Sequence, residues 1–153
     1  MSEERPLSGY AVTLGAYAGL VATVALAARW RARALPERIG PWDVALLSVA
    51  TYRLSRTLSK DQIASPLRAP FTEYQAPGSA GEPTEQPRAA GRVRRAVGEL
   101  LTCPFCLSQW VATGLLAGHL LIPRATRAVT ATLTAVGAAD FLQVAYARGT
   151  RLG

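Results

Sequence analysis

The chain predicts an all-α integral membrane protein with three transmembrane helices: one N-terminal helix and a C-terminal helical hairpin, joined by short amphipathic interfacial helices. Three observations predict it. Half of the 153 residues are hydrophobic and only 18% are charged, where soluble domains carry about 25%. Three stretches, Pro6 to Ala28, Leu100 to Pro123 and Ala128 to Ala147, hold no charge or a single one. At ~1.5 Å per residue, each is long enough to cross a ~30 Å hydrocarbon core. The third observation is the basic excess, seventeen Lys+Arg against ten Asp+Glu for a net charge of +7, with most Arg flanking the apolar stretches as at cytoplasmic helix ends. The same charge without zinc-finger spacing or an RNA-binding aromatic motif argues against nucleic acid. Anionic lipid headgroups are the partner it fits.

The first 40 residues read as one unit, a membrane helix and its basic flank. Ser2, Glu3, Glu4 and Arg5 precede a long apolar run, and Arg29, Arg31 and Arg33 follow it. An acidic start and a long run describe an uncleaved helix rather than a signal peptide. Gly15 and Gly19 form a small-xxx-small surface suited to close helix packing, within the chain or in a homo-oligomer.

Residues 41–153 form the second unit. Residues 41–60 have helical periodicity, with Leu47, Thr51, Leu54 and Leu58 on one face and Arg53, Arg56 and Lys60 on another. Only nine residues separate Asp43 from Arg53, so this helix is predicted to lie at the interface or to pack against other helices, and not to span. Residues 75–91 contain Pro77, Pro83, Pro87, Gly78, Gly81 and Gly91 and read as a flexible loop. Arg92 to Leu101 is briefly amphipathic and leads into the membrane hairpin, 100–147, whose reversal is placed at Pro123-Arg124-Ala125-Thr126.

The basic residues set the topology. With three spans, ten Lys/Arg near the span ends fall on one side (Arg29, Arg31, Arg33, Arg38, Arg88, Arg92, Arg94, Arg95, Arg148, Arg151) and three on the other (Arg5, Arg124, Arg127). If the 41–60 helix also crossed, the whole-chain tally would be eleven against six. The expectation is a multi-pass membrane protein with its N-terminus outside and its central loop and C-terminus cytoplasmic.

The strings Ala50-Thr51-Tyr52-Arg53-Leu54-Ser55-Arg56, Asp61-Gln62-Ile63 and Ser65-Pro66-Leu67-Arg68-Ala69-Pro70-Phe71, followed by Gly98-Glu99-Leu100-Leu101-Thr102-Cys103-Pro104-Phe105-Cys106 and Trp110, carry a family resemblance. From about Trp42 to Tyr146 the chain resembles the bacterial family called domain of unknown function 1360. That resemblance implies a small membrane protein of unsettled biochemistry, some of whose members carry sporulation labels.

Cys103-Pro104-Phe105-Cys106 is the sharpest chemical feature. Cys103 falls at a helix N-cap with Pro104 at the first helical position, where the helix dipole lowers a thiol pKa. Three readings remain open: structural thiols kept reduced at a cytoplasmic face, a thiol–disulfide oxidoreductase or electron relay, and a metal held between chains by the Cys pair. The four residues resemble the active string of glutaredoxins, but no strand pattern surrounds them. His119, sixteen residues along the same helix, is about 24 Å from Cys103 and cannot complete a metal site. Of the two, Cys103 is expected to be the more reactive.

Asp140 is an ionisable group inside a membrane segment, a functional candidate by default. Its expected partners are Ser108, Gln109 or an Arg of the 41–60 helix. Arg53, Arg56, Asp61 and Arg68 make a polar set near the same end, read as interfacial anchoring plus an Arg–Asp pair or as an anionic-ligand site. A single His and no Ser elbow, nucleotide loop or carboxylate pair give little from which to build a hydrolase. The functional expectation is a structural or partner-binding membrane component that needs no cofactor.

Overall fold

The computed structural model describes residues 6–30, 39–78, 82–89 and 91–151. The basic flank at 31–38 and part of the 75–91 stretch (79–81 and 90) lie outside the described residues. The chain is mostly helical: α1 (Leu7–Trp30), α2 (Pro41–Lys60), a 3-10 turn (Gln62–Ala64), α3 (Ser65–Arg68), β1 (Thr72–Pro77), β2 (Pro83–Pro87), α4 (Arg92–Thr102), α5 (Pro104–Leu121) and α6 (Pro123–Gly149). Two helices, α1 and α6, are long and apolar enough to cross a membrane, and α4 with α5 makes a third candidate if that bent pair counts as one span. Large apolar side chains such as Leu7, Leu14, Phe141 and Leu142 are exposed along α1 and α6, an arrangement that suits hydrocarbon and not water.

The helix expected at the interface is the centre of the bundle. Ala50 of α2 is fully buried against Leu107, Val111 and Leu115 of α5, with Leu47, Leu54, Leu58 and Leu133 packed around them. Gly137 of α6 lets α2 approach closely; a Cβ there would lie 3.1 Å from Val49 Cγ1 and 3.5 Å from the Arg53 Cβ. Thr134 Oγ1 donates to the Leu46 carbonyl at 3.0 Å, and Tyr52 stacks on Phe141 with centroids 5.7 Å apart. At twenty residues α2 is about 30 Å long. The expectation that it does not span came from counting charges. Its basic residues gather at one end, where the fold pairs Arg53 and Arg56 with carboxylates.

Helix α5 runs antiparallel to α2. Asp43 and Leu46 line a groove with His119 and Thr130, whereas Ser55 and Arg56 line one with Pro104 and Phe105. Helix α1 runs parallel to α5: Leu14 lines a groove with Cys106, and Tyr17 accepts a hydrogen bond from Gln109 Nε2 at 2.8 Å. One end of the bundle therefore gathers the start of α1, the end of α2, the start of α5 and the last turns of α6. We call it the cap end; α3, the strands and α4 sit there. The expected topology put the N-terminus and the central loop on opposite sides; in the fold the start of α1 lies beside α4. The start of α1 is held beside α4 by the Tyr10–Glu99 hydrogen bond, and a Cβ at Gly9 would lie 2.3 Å from the Arg92 carbonyl oxygen.

Two breaks shape the hairpin segment, the first at the expected N-cap and the second a correction to the expected turn at Pro123 to Thr126. The segment beginning at Leu100 is not one helix: Leu100 to Thr102 end α4, and α5 starts at Pro104 after an 84° bend. Pro104 disfavours helical backbone at Cys103, which is extended (φ −105°, ψ 103°). The reversal after α5 takes only Ile122, so Pro123 to Thr126 form the first turn of α6. A Cβ at Gly118 would lie 2.7 Å from Thr126 Oγ1, so glycine makes this tight crossing possible.

The fold is also not wholly α. Strands β1 and β2 pair antiparallel, from Thr72 opposite Pro87 to Pro77 opposite Pro83, with an irregularity between Tyr74 and Ala76. The prolines that read as loop signals stand at strand ends, where a missing N–H breaks little of the ladder. Gly98 of α4 seats this hairpin: a Cβ there would meet the Phe71 carbonyl oxygen at 2.6 Å and Pro87 Cβ at 3.0 Å.

Candidate functional site

The polar residues singled out in the sequence converge on the cap end, in two ion-pair groups and one cysteine pair. Arg53, on the last half of α2, is the hub of the first group. Its Nη2 meets Asp61 Oδ2 at 3.0 Å and its Nε meets Asp140 Oδ2 at 3.3 Å. Asp61 is the C-cap of α2, so one guanidinium joins the end of that helix to α6. Of Asp140's expected partners, the structure selects the Arg. Ser108 turns back to the Phe105 carbonyl (2.7 Å), and Gln109 donates to Tyr17 of α1.

Arg68 is the hub of the second group, and its side chain is 1% exposed. Its Nη1 donates to the carbonyls of Leu58 (2.8 Å) and Asp61 (3.1 Å), which lie at the end of α2. Its Nε and Nη2 take the two oxygens of Glu85 at 2.9 and 2.8 Å, a bidentate pair. Ser65 and Thr72 each donate to the same carboxylate at 2.8 Å. Arg68 hydrogen bonding, aided by Thr72 and Ser65 and opposed by burial, holds the Glu85 carboxyl at about 2, well below its ordinary 4.5. Arg56 bonds Glu82 ahead of the same strand.

Glu82 and Glu85 are members of these ion-pair groups that sequence reasoning missed. They are the only acids between residues 75 and 91, downstream of Arg53, Arg56, Lys60 and Arg68. That charge complementarity was a usable signal against a free loop. Tyr17 was missed as well; besides Gln109 it meets Thr113 at 2.9 Å and packs edge-on against Trp110 at 5.2 Å.

Cys103 is the N-cap of α5, and its sulfur accepts the Cys106 N–H at 3.2 Å. The two cysteines form a disulfide with Cα atoms 5.3 Å apart. This departs from the expectation of reduced thiols: the extended backbone at Cys103 and one turn of helix bring the sulfurs together. Cys106 is exposed and Cys103 half-buried, and Phe105 between them is 87% exposed. Among the described residues no group of three or more His, Cys, Asp or Glu could hold a metal ion. His119 sits at the opposite end of α5, in the groove with Asp43 and Arg127.

The small-residue surface lies apart from these groups. A Cβ at Gly15 or Gly19 would meet nothing within 4 Å, so close packing inside the chain runs instead through Gly9, Gly98, Gly118 and Gly137.

Comparison with known proteins gives the chain a family without assigning it an activity. The chain is similar to "Sporulation protein YjcA" of Bacillus subtilis (strain 168), 34% identical over 103 residues, covering 65% of this chain and 86% of that protein. No solved structure matches. The family model described as "Protein of unknown function (DUF1360)" matches residues 46–146, from the middle of α2 through most of α6 and including both ion-pair groups and the cysteine pair. The chain is a member of the DUF1360 family of proteins of unknown function.

Proposed function

We propose that this chain is a partner-binding component of a bacterial cell membrane, and that α1, α2, α5 and α6 all cross the bilayer with both termini and the cap on the cytoplasmic side. The observation that carries the reading is the pairing of Arg53 with Asp61 and Asp140. An intramembrane carboxylate that could have carried protons is engaged by an internal cation, and the pair stiffens a cap made of α3, the hairpin and α4. The basic side chains on α4, Arg92, Arg94 and Arg95, suit anionic headgroups beside that cap. Four crossings leave eleven Lys/Arg on the cap side and six on the other, which still favours a cytoplasmic cap. The name of the Bacillus subtilis relative adds sporulation as a setting for the role.

Protease protection of epitope tags tests the topology. Tags at either terminus should be cut only in inverted vesicles, and a tag inserted between residues 34 and 35 only in right-side-out ones. An N-terminal tag cut from outside would overturn the four-crossing arrangement. The role of Asp140 is tested by substitution. Asp140→Asn should change stability by less than about 1 kcal/mol, because the pair is partly exposed and Arg53 keeps Asp61. Arg53→Leu should cost about 1–3 kcal/mol, because it leaves two neighbouring carboxylates without their cation. Thermal unfolding in detergent reads both; equal losses from the two changes would point to a required charge on Asp140.

A further inference from the structure

We propose that Cys103 and Cys106 are a thiol–disulfide exchange site whose co-reactant is a partner dithiol, attacked through Cys106. Three features of the cap end support the site together. The two cysteines are joined in a disulfide at the start of α5. The inference rests on the cytoplasmic placement of the cap proposed above, and a disulfide at a cytoplasmic face belongs to the transient, catalytic or sensing class more often than to the structural one. Second, the exposure is asymmetric. Cys106 opens on a groove of about 310 Å³ lined by Thr13, Leu14, Tyr17, Leu100, Gln109 and Trp110, while Cys103 is half-buried behind it. Third, Cys103 is the better leaving group. Its sulfur already accepts the Cys106 N–H at 3.2 Å and sits at the positive end of an eighteen-residue helix, both of which favour thiolate. Phe105, almost fully exposed between the cysteines, offers an apolar contact for the incoming partner.

The exchange balances with the partner dithiol alone. A partner thiolate bonds to the Cys106 sulfur as the Cys103–Cys106 bond breaks, and the electron pair leaves on Cys103. The partner's second thiolate then attacks the partner sulfur of the mixed disulfide, and Cys106 leaves as a thiolate. The partner departs as an internal disulfide, two electrons have passed to the cysteine pair, and the protons lost by the partner's thiols become available to Cys103 and Cys106. The sequence alone favoured Cys103 as the reacting thiol. Its position supports thiolate, but its half-burial makes it the leaving group and Cys106 the point of attack.

The test uses the full chain in native membrane fragments open on both faces, so that its outcome does not depend on orientation and fails separately from the topology. Fragments are equilibrated with mixtures of reduced and oxidised glutathione, and the pair is read by differential alkylation and mass. The expected result is a reversible two-electron titration between disulfide and dithiol within those mixtures. When the oxidised pair is exposed to reduced glutathione, quenched with acid and mapped by mass, glutathione should be found on Cys106 about ten-fold more often than on Cys103. A pair that stays oxidised in the most reducing mixture, or reduced in the most oxidising one, would overturn the exchange site. Glutathione found equally or more often on Cys103 would overturn the direction of attack.

Discussion

Arg68→Ala is expected to lower the stability of this protein by about 3–5 kcal/mol, the range for removing one partner of a buried ion pair. The guanidinium makes five hydrogen bonds, and its side chain is 1% exposed while that of Glu85 is 8% exposed. Removing it leaves the carboxylate with two hydroxyl donors and no cation, and strips the Leu58 and Asp61 carbonyls of a donor. The hairpin would also lose its buried tie to α2, keeping only the more exposed Arg56–Glu82 pair, and become more sensitive to protease near Gly78. Arg68→Met combined with Glu85→Leu should recover much of the loss, because no charge is then buried alone. If the double variant is as unstable as the single, the loss reflects packing and not an orphaned charge. Glu85 fixes the pH dependence. Its carboxyl is depressed from 4.5 to about 2 in the fold, so its contribution is complete above the unfolded value and is lost as pH falls through about 2. Hairpin cleavage should therefore be flat from neutral pH to about pH 5 and rise only in stronger acid.

Gly9→Leu should detach the start of α1 from α4, at a cost of about 1–3 kcal/mol or more for overpacking. Even a Cβ at this position would lie 2.3 Å from the Arg92 carbonyl oxygen and 2.8 Å from the Ala96 Cβ. The first of these is backbone inside a helix and cannot turn aside. The Tyr10–Glu99 bond, one residue away, should be lost with it. Gly15→Leu with Gly19→Leu is the informative contrast, because neither Cβ meets anything within the chain. That pair should leave the thermal midpoint of the isolated chain unchanged and alter only detergent-resistant self-association. A large midpoint shift from the Gly15 and Gly19 changes, with none from Gly9→Leu, would reverse this assignment of the packing surface.

Much of the candidate site was legible as residue types and little of it as pairings. Arg53, Arg56, Asp61, Arg68, Asp140 and the two cysteines were all singled out, and all lie at the cap end. Their partners were not legible where they are acids inside a proline-rich stretch: Glu82 and Glu85 looked solvated because Pro77, Pro83 and Pro87 mask a strand pattern. Only the bend after Thr102 and the approach of Gly98 to Phe71 and Pro87 turn that stretch into a hairpin over α2.

By itself the sequence determined the apolar helices, the N-cap at Cys103, the amphipathic α4 and the family, because each depends on local composition, on proline's backbone constraint or on a contiguous motif. The tertiary structure alone decided that α2 lies at the centre, that α1 starts at the cap end and that the cap is knit by Arg53 and Arg68. Charge counting treats each Arg as needing water or a headgroup. A folded chain can instead supply a carboxylate from residues tens of positions away, as Asp140 does for Arg53 and Glu85 does for Arg68. That pairing removes the penalty which had argued against α2 as a spanning helix.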